Sequence, residues 1–163
     1  MSTTTKDTPR SATVTTPAER EIHIERIFDA PRERVWRAMT DPKLLAQWWG
    51  RGNKLVIERL EVERGGHWRF VEHTHDGQVH GFEGRFREVR APERLAMTFE
   101  WDGMPGYVVI NTTTLHDLGD GRTKIVITSL FHTAEERDGM LKSGMEGGMN
   151  QSYAALDKVL ASL

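Results

Sequence analysis

The stretch EIHIERIFDAPRERVWRAMTDPKLLAQWWG, residues 21–50, changes its hydrophobic period twice, and those changes decide the fold. Along its first part Ile22, Ile24 and Phe28 share one face with Arg26, while His23 and Glu25 fall on the other, which is the period of a half-buried strand. Ala30-Pro31 ends that strand, and Pro31 suits the first turn of a helix, where its missing N–H is not needed. Val35, Trp36 and Met39 then follow at helical spacing. Asp41-Pro42 repeats the cap-and-proline signal, so a second short helix carrying Leu44, Leu45 and Trp48 runs to a stop at Gly50.

C-terminal to this opening, alternating segments are separated by turn chemistry: Leu55–Val62, His67–His75, Gln78–Val89, Leu95–Trp101, Tyr107–Leu118 and Arg122–Phe131. The breaks fall at Gly65-Gly66, Asp76-Gly77, Ala91-Pro92 and Gly119-Asp120-Gly121. These six segments make an antiparallel meander, and the first strand brings the expected total to seven. The period changes once more at Thr133-Ala-Glu-Glu136, a capping box, after which Leu141, Met145, Gly148, Ser152, Leu156 and Val159 recur at helical spacing to about Ala161. The expected fold is α+β: a curved seven-stranded antiparallel sheet wrapped around one long C-terminal helix, with two short helices after the first strand.

N-terminal to residue 20 the chain is rich in Ser, Thr and Pro without periodic apolar positions. Residues 1–19 therefore read as a disordered tail and 20–163 as one domain. The chain of 163 residues carries Lys+Arg 22 against Asp+Glu 24, a formal charge of -2, and 37% hydrophobic residues. That is a core large enough to fold unaided, and it lacks the basic stripe that nucleic acid would require. With no cysteine, disulfides, thiolate metal sites and a cysteine nucleophile are excluded. Apolar runs such as Val108-Val109-Ile110 are too short to span a bilayer, and the N-terminus has no apolar signal segment, so a cytoplasmic location is expected.

The residues 21–50 resemble the opening signature of bacterial proteins grouped with the C-terminal domain of the activator of heat-shock protein 90 ATPase. These belong to the START-like (SRPBCC), birch-pollen-allergen-like helix-grip superfamily, which also includes polyketide cyclases. The DAP…V…TDP…WW pattern is the most specific part of the resemblance. Gly65-Gly66 before Trp68-Arg69-Phe70, GRFREVRAPERLAMTFEW and SGMEGGMNQSYAALDKVL extend it over residues 21–163. Two positions depart from the pattern: Met145 stands where the family often has Trp, and Glu72 where it often has an apolar residue. The resemblance implies a helix-grip fold with a cavity between sheet and long helix, commonly used for apolar ligands. No segment corresponds to the separate chaperone-engaging domain of the true co-chaperone, which weighs against a chaperone partner.

Candidate site residues follow from pattern. Gly139, Gly144, Gly147 and Gly148 would each cost a helix ~0.5–1 kcal/mol relative to alanine. Interleaved Met140, Met145 and Met149 either line an adaptable cavity wall or fill the core beside close helix contacts. Trp68 and Phe70 on one strand, with Leu95, Met97, Phe99 and Trp101 on another, are either a second wall or the ordinary packed face of a sheet. The predicted ligand-binding set is Trp68, Phe70, Met97, Phe99, Trp101, Met140, Met145 and Met149.

Arg26, on an apolar strand face, needs a carboxylate, and Glu72, Glu83 and Glu100 are candidates. A two-residue turn at Asp76-Gly77 would set His73 opposite His80, with His75 on the same face and Glu72 on the other. That three-imidazole cluster could hold zinc in principle but has no second shell, so no metal or other cofactor is assigned. Of Trp48-Trp49, either one packs inward while the other helps cover a cavity mouth or a partner surface, or the chain leaves the helix there and both are half-buried.

No nucleophile elbow, phosphate loop or dinucleotide fingerprint is present. His67, Glu72, Glu83, Arg85 and Asp102 are the polar residues that a cyclase-like reading could use, and nothing in their spacing selects a pair, so no catalytic residue is assigned. The expected function is binding of a hydrophobic or amphipathic small molecule, with a chaperone-interaction domain and a polyketide cyclase-like enzyme as alternatives. A homodimer through an edge strand or the glycine-rich helix stays open.

Overall fold

The computed structural model describes residues 11–163. Along the chain come β1 (Thr13–Thr15), β2 (Glu21–Phe28), α1 (Arg32–Thr40), α2 (Pro42–Trp48), β3 (Lys54–Leu60), β4 (His67–His73), β5 (Val79–Arg90), β6 (Arg94–Trp101), β7 (Val109–Asp117), β8 (Thr123–Leu130), α3 (Ala134–Lys142) and α4 (Met145–Ser162). The strands form a single eight-stranded sheet in the order β1-β2-β8-β7-β6-β5-β4-β3, antiparallel at every pairing. The predicted α+β helix-grip arrangement is therefore present, with one strand more than expected. Among the described residues no helix is long and apolar enough to cross a membrane.

The additional strand corrects the reading of the N-terminal segment, whose first ten residues lie outside the described ones. Thr13, Val14 and Thr15 pair with Glu25, Ile24 and His23. Ala12 is buried, and its backbone N–H donates to Asn150 Oδ1 on α4 at 3.0 Å. One edge of the sheet is thus held by main-chain pairing with β2 and by one bond to the Asn150 side chain, which leave no hydrophobic period in the sequence to read.

The second correction concerns the C-terminal helix, which is two helices. Thr133 Oγ1 accepts from the Glu136 N–H at 3.1 Å and starts α3, as the capping box predicts. Gly144 then adopts φ +84, a left-handed conformation open to glycine at little cost, and breaks the helix before Met145. The spacing of Leu141, Met145 and Met149 runs through the break in phase, so periodicity alone cannot detect it.

The core lies where α1, α2 and the second half of α4 meet the sheet. Phe28, Val35, Leu95, Leu115, Ile125 and Leu156 are buried there. Asp41 caps α2 by accepting from the Lys43 N–H, Pro42 occupies its first turn, and Trp48 Nε1–H donates to the Ala38 carbonyl at 2.9 Å, joining α2 to α1. Tyr153 packs edge-on to Phe28 with centroids 5.4 Å apart. The buried Arg26 guanidinium lies 4.4 Å from the Phe28 ring centre and donates to both carboxylate oxygens of Asp157, at 2.6 and 2.7 Å. Its partner is therefore on α4, and none of Glu72, Glu83 or Glu100 fills that role.

Candidate functional site

Register assigns the inner face of the sheet strand by strand. Leu55, Ile57 and Leu60 on β3 stand opposite Glu72, Phe70 and Trp68 on β4. Phe70 and Glu72 face Phe82 and His80 on β5, and Phe82 and Phe86 face Trp101 and Met97 on β6. Leu95, Met97 and Phe99 face Thr113, Asn111 and Val109 on β7, which in turn face Ile127 and Ser129 on β8. The predicted alternation of Trp68 with Phe70, and of Leu95, Met97, Phe99 and Trp101, is thus on the concave side.

That face is filled unevenly. Toward β3, Trp49 lays its indole against Phe70 and Phe82, with centroids 5.1 and 5.3 Å away, and against Trp68 at 6.4 Å. Trp68 is 1% exposed and its Nε1–H donates to the Thr98 carbonyl. Both tryptophans of the Trp48-Trp49 pair turn inward, Trp48 onto Tyr153 and Trp49 onto the sheet. Adjacent helical positions point in different directions, and here the two directions reach two parts of one core, so neither residue covers a mouth.

Glu72, also 1% exposed, sits beside this aromatic group and is bound by Arg51. Arg51 Nε–H donates to one carboxylate oxygen at 3.0 Å and Nη2 to the other, and Asn53 adds a bond at 3.2 Å. The hydrogen bond to Glu72 holds the Arg51 guanidinium further above its already high range. The stem of Arg51 crosses α4 at Gly148, where a Cβ would lie 2.7 Å from Arg51 Cδ. Close approach therefore explains Gly148. Gly139 and Gly147 have no such reason, because a Cβ at either would meet nothing within 4 Å.

Around the ends of β6 and β8 and the start of β7 the same face is covered only in part. Val109, Thr113 and Ile125 are buried, yet Met97, Phe99, Asn111, Ile127 and Ser129 remain partly exposed. From the helices come Met140, Met145 and Met149, half-buried against the core cluster. α3 itself buries no residue fully, and Arg137 holds it down by donating to the carbonyls of Ala18 and Glu21 at 3.0 and 3.2 Å. A recess of about 510 Å³ is lined by Gly106, Tyr107, Val108, His132 and Glu136, none of them in the predicted set.

The structure separates the predicted set. Trp68 and Phe70 belong to the packed aromatic group, and Phe99 borders it, 5.5 Å from Phe82 and 6.1 Å from Trp68, whereas Met97 and Trp101 are partly covered and the methionines lie half-buried on the helices. Trp101 also carries the His80 ring at 5.8 Å.

The three-imidazole convergence fails. Thr74 and Gln78 close a turn of His75, Asp76 and Gly77, with Gly77 at φ +87, so His73 faces Val79 and His80 faces Glu72. One extra turn residue slips the register and sends His80 to the opposite face. Among the described residues no group of His, Asp and Glu is placed to hold a metal.

Of the polar residues considered for a cyclase-like role, Glu83 and Asp102 bind Arg69 on the outer face at 3.0 and 2.7 Å, near His67 and Arg85, and Arg69 keeps the Asp102 carboxyl below its ordinary range. Glu72 alone points inward, already neutralised. Three features escape sequence reasoning: Asp157 as partner of Arg26, Arg51 as partner of Glu72, and a polar pair in the apolar face, Ser129 Oγ–H donating to Asn111 Oδ1 at 2.6 Å. An available signal for Asp157 was a carboxylate directly after the buried Leu156.

The fold recurs in solved structures. A protein of Rhodobacter sphaeroides superposes with a TM-score of 0.86 at 28% identity, covering 94% of this chain and 99% of that chain. A protein of Arthrobacter aurescens gives 0.83 at 28% identity, with 93% and 92% covered. One from Chromobacterium violaceum gives 0.74 at 29% identity, with 86% and 96% covered. No curated protein is significantly similar in sequence. Residues 29–161 match the family described as "Activator of Hsp90 ATPase homolog 1-like protein", so by this match and by its helix-grip architecture the chain belongs to that family.

Proposed function

We propose that the protein binds a hydrophobic or amphipathic small molecule between the partly covered end of its sheet and the α3–α4 junction. The observation that carries this reading is the uneven coverage of one continuous inner face. Leu95 on β6 and Ile125 on β8 are buried, while Met97 and Phe99 on β6 and Ile127 on β8, on the same side, keep exposure that a closed core would remove. Met140, Met145 and Met149 form the opposite wall, and flexible thioether side chains suit a ligand of irregular shape. Met97, Phe99 and Trp101 are the sheet-side contacts, and Trp68 and Phe70 back them rather than touch the ligand. The family fold is compatible with a ligand-binding domain, and sites of this kind are mostly apolar with a few polar groups. No side chain is assigned to a chemical step, so the reading is retention of a molecule rather than its turnover.

Native mass spectrometry of the freshly purified protein, compared with its denatured mass, tests this. A discrete excess that extracts into organic solvent is expected, and Met149→Trp, which fills the gap from the helix side, is expected to lower its occupancy several-fold in a variant that remains folded. Undiminished occupancy in both Met145→Trp and Met149→Trp would remove the helix wall from the site. No excess, together with no uptake of an added apolar dye, would overturn the reading.

A further inference from the structure

The inner face at the open end contains one polar pair. Asn111 on β7 and Ser129 on β8 stand directly opposite each other, and the hydroxyl donates to the amide oxygen at 2.6 Å. Their sheet neighbours are apolar, with Met97 opposite Asn111 on β6 and the buried Ile22 opposite Ser129 on β2. An Asn side chain offers two N–H donors besides its carbonyl. Among the described residues neither donor of Asn111 has a protein acceptor, and both residues are only partly buried. Where the pair is partly exposed, water can serve those donors. A hydrocarbon filling the groove would strip the water and leave them unsatisfied, which is strongly unfavourable in an apolar surrounding.

Given a small molecule in the open end, as proposed above, we infer that its class is an apolar body bearing an oxygen that accepts a hydrogen bond from the Asn111 amide. Ser129 is a positioning residue: its hydroxyl occupies the amide oxygen and so turns the N–H donors toward the groove. The resulting site selects ketones and alcohols over hydrocarbons of the same shape, and it disfavours a ligand that is apolar throughout.

The probes are tetralin, which has no oxygen, and 2-tetralone, which adds one carbonyl to the same bicyclic frame. Dissociation constants for both are measured by calorimetry or ligand-observed NMR on the wild-type protein, on Asn111→Leu and on Ser129→Ala. The two probes differ in hydration, so the readout is the change in their affinity ratio on substitution, as in a double-mutant cycle. Asn111→Leu is expected to lower the ketone-to-hydrocarbon ratio roughly tenfold, with tetralin binding held or improved, and Ser129→Ala to lower it severalfold. An unchanged ratio in folded Asn111→Leu and in Ser129→Ala, with both probes bound, would overturn the polar subsite and leave the groove reading intact. If the wild-type protein takes up neither probe, the groove reading falls and the subsite with it.

Discussion

The two ends of the grip are built from the same strands and the same helix, yet they are packed to different standards. At one end Phe28, Leu115, Ile125 and Leu156 are sealed, Tyr153 and Trp48 fill the space between helices and sheet, and Asp157 clamps Arg26 across that space. At the other, Met97, Phe99, Ile127 and the Asn111–Ser129 pair face helices that carry methionines and glycines, and α3 has no fully buried residue. Stability is concentrated in the first region, which leaves the second free to be soft. The site proposed for an apolar molecule lies where few buried contacts have to be undone.

The largest expected effect breaks this contrast or confirms it directly. Leu156 is 0% exposed, and Leu156→Ala should lower the unfolding free energy by about 2–5 kcal/mol through lost burial and the cavity left behind. Met149→Ala, on the same helix but half-buried, should lose under about 1.5 kcal/mol. Urea titrations of the two variants under identical conditions give the comparison. Equal losses would mean that the open end is packed as densely as the closed one.

Much of the fold was legible in the sequence, and the remainder was hidden for identifiable reasons. Alternation and helical spacing locate β2 to β8, α1 and α2, because each of those elements buries a repeating face. β1 was illegible because three residues, with Val14 as their apolar member, have no period, and its support is pairing with β2 and a bond to Asn150. The break at Gly144 was hidden because the methionine spacing stays in phase across it. Pairings such as Arg26 with Asp157, 131 residues apart, depend on tertiary placement that local pattern does not encode. The His73–His80 register failed on a single turn residue, and a one-residue slip reverses faces. For the site, the methionines, Met97, Phe99 and Trp101 stood out by type, whereas Asn111 and Ser129 look like ordinary strand residues until the register sets them side by side.

A smaller effect tests how well the closed end is sealed. Burial raises the Tyr153 phenol above its ordinary value near 10. A raised folded-state pKa contributes stability that is fully present below the unfolded pKa and is lost as pH rises toward the folded one. Between pH 9 and pH 11 the wild type should therefore lose about 1 kcal/mol more than Tyr153→Phe, which cannot ionise, while the lysine titrations common to both cancel. Urea midpoints at the two pH values supply the measurement. Identical pH dependence in the two proteins would show that water reaches the phenol and that the closed end is not closed.

The smallest effect probes the open end from the helix side. Gly147 lies in the first turn of α4, is exposed, and has open space where a Cβ would be. Replacing a helical glycine with alanine removes backbone freedom from the unfolded chain and should stabilise by about 0.5–1 kcal/mol, or roughly 1–4 °C in Tm. That such a gain is left unused at Gly147 fits the proposed site if the start of α4 loosens as a ligand enters. If it does, Gly147→Ala slows hydrogen exchange across residues 140–149 and slows dye uptake, both beyond what the global gain accounts for. A rise in Tm with no local slowing would mean that this end opens only when the whole domain unfolds, and the two ends would then differ in packing but not in mobility.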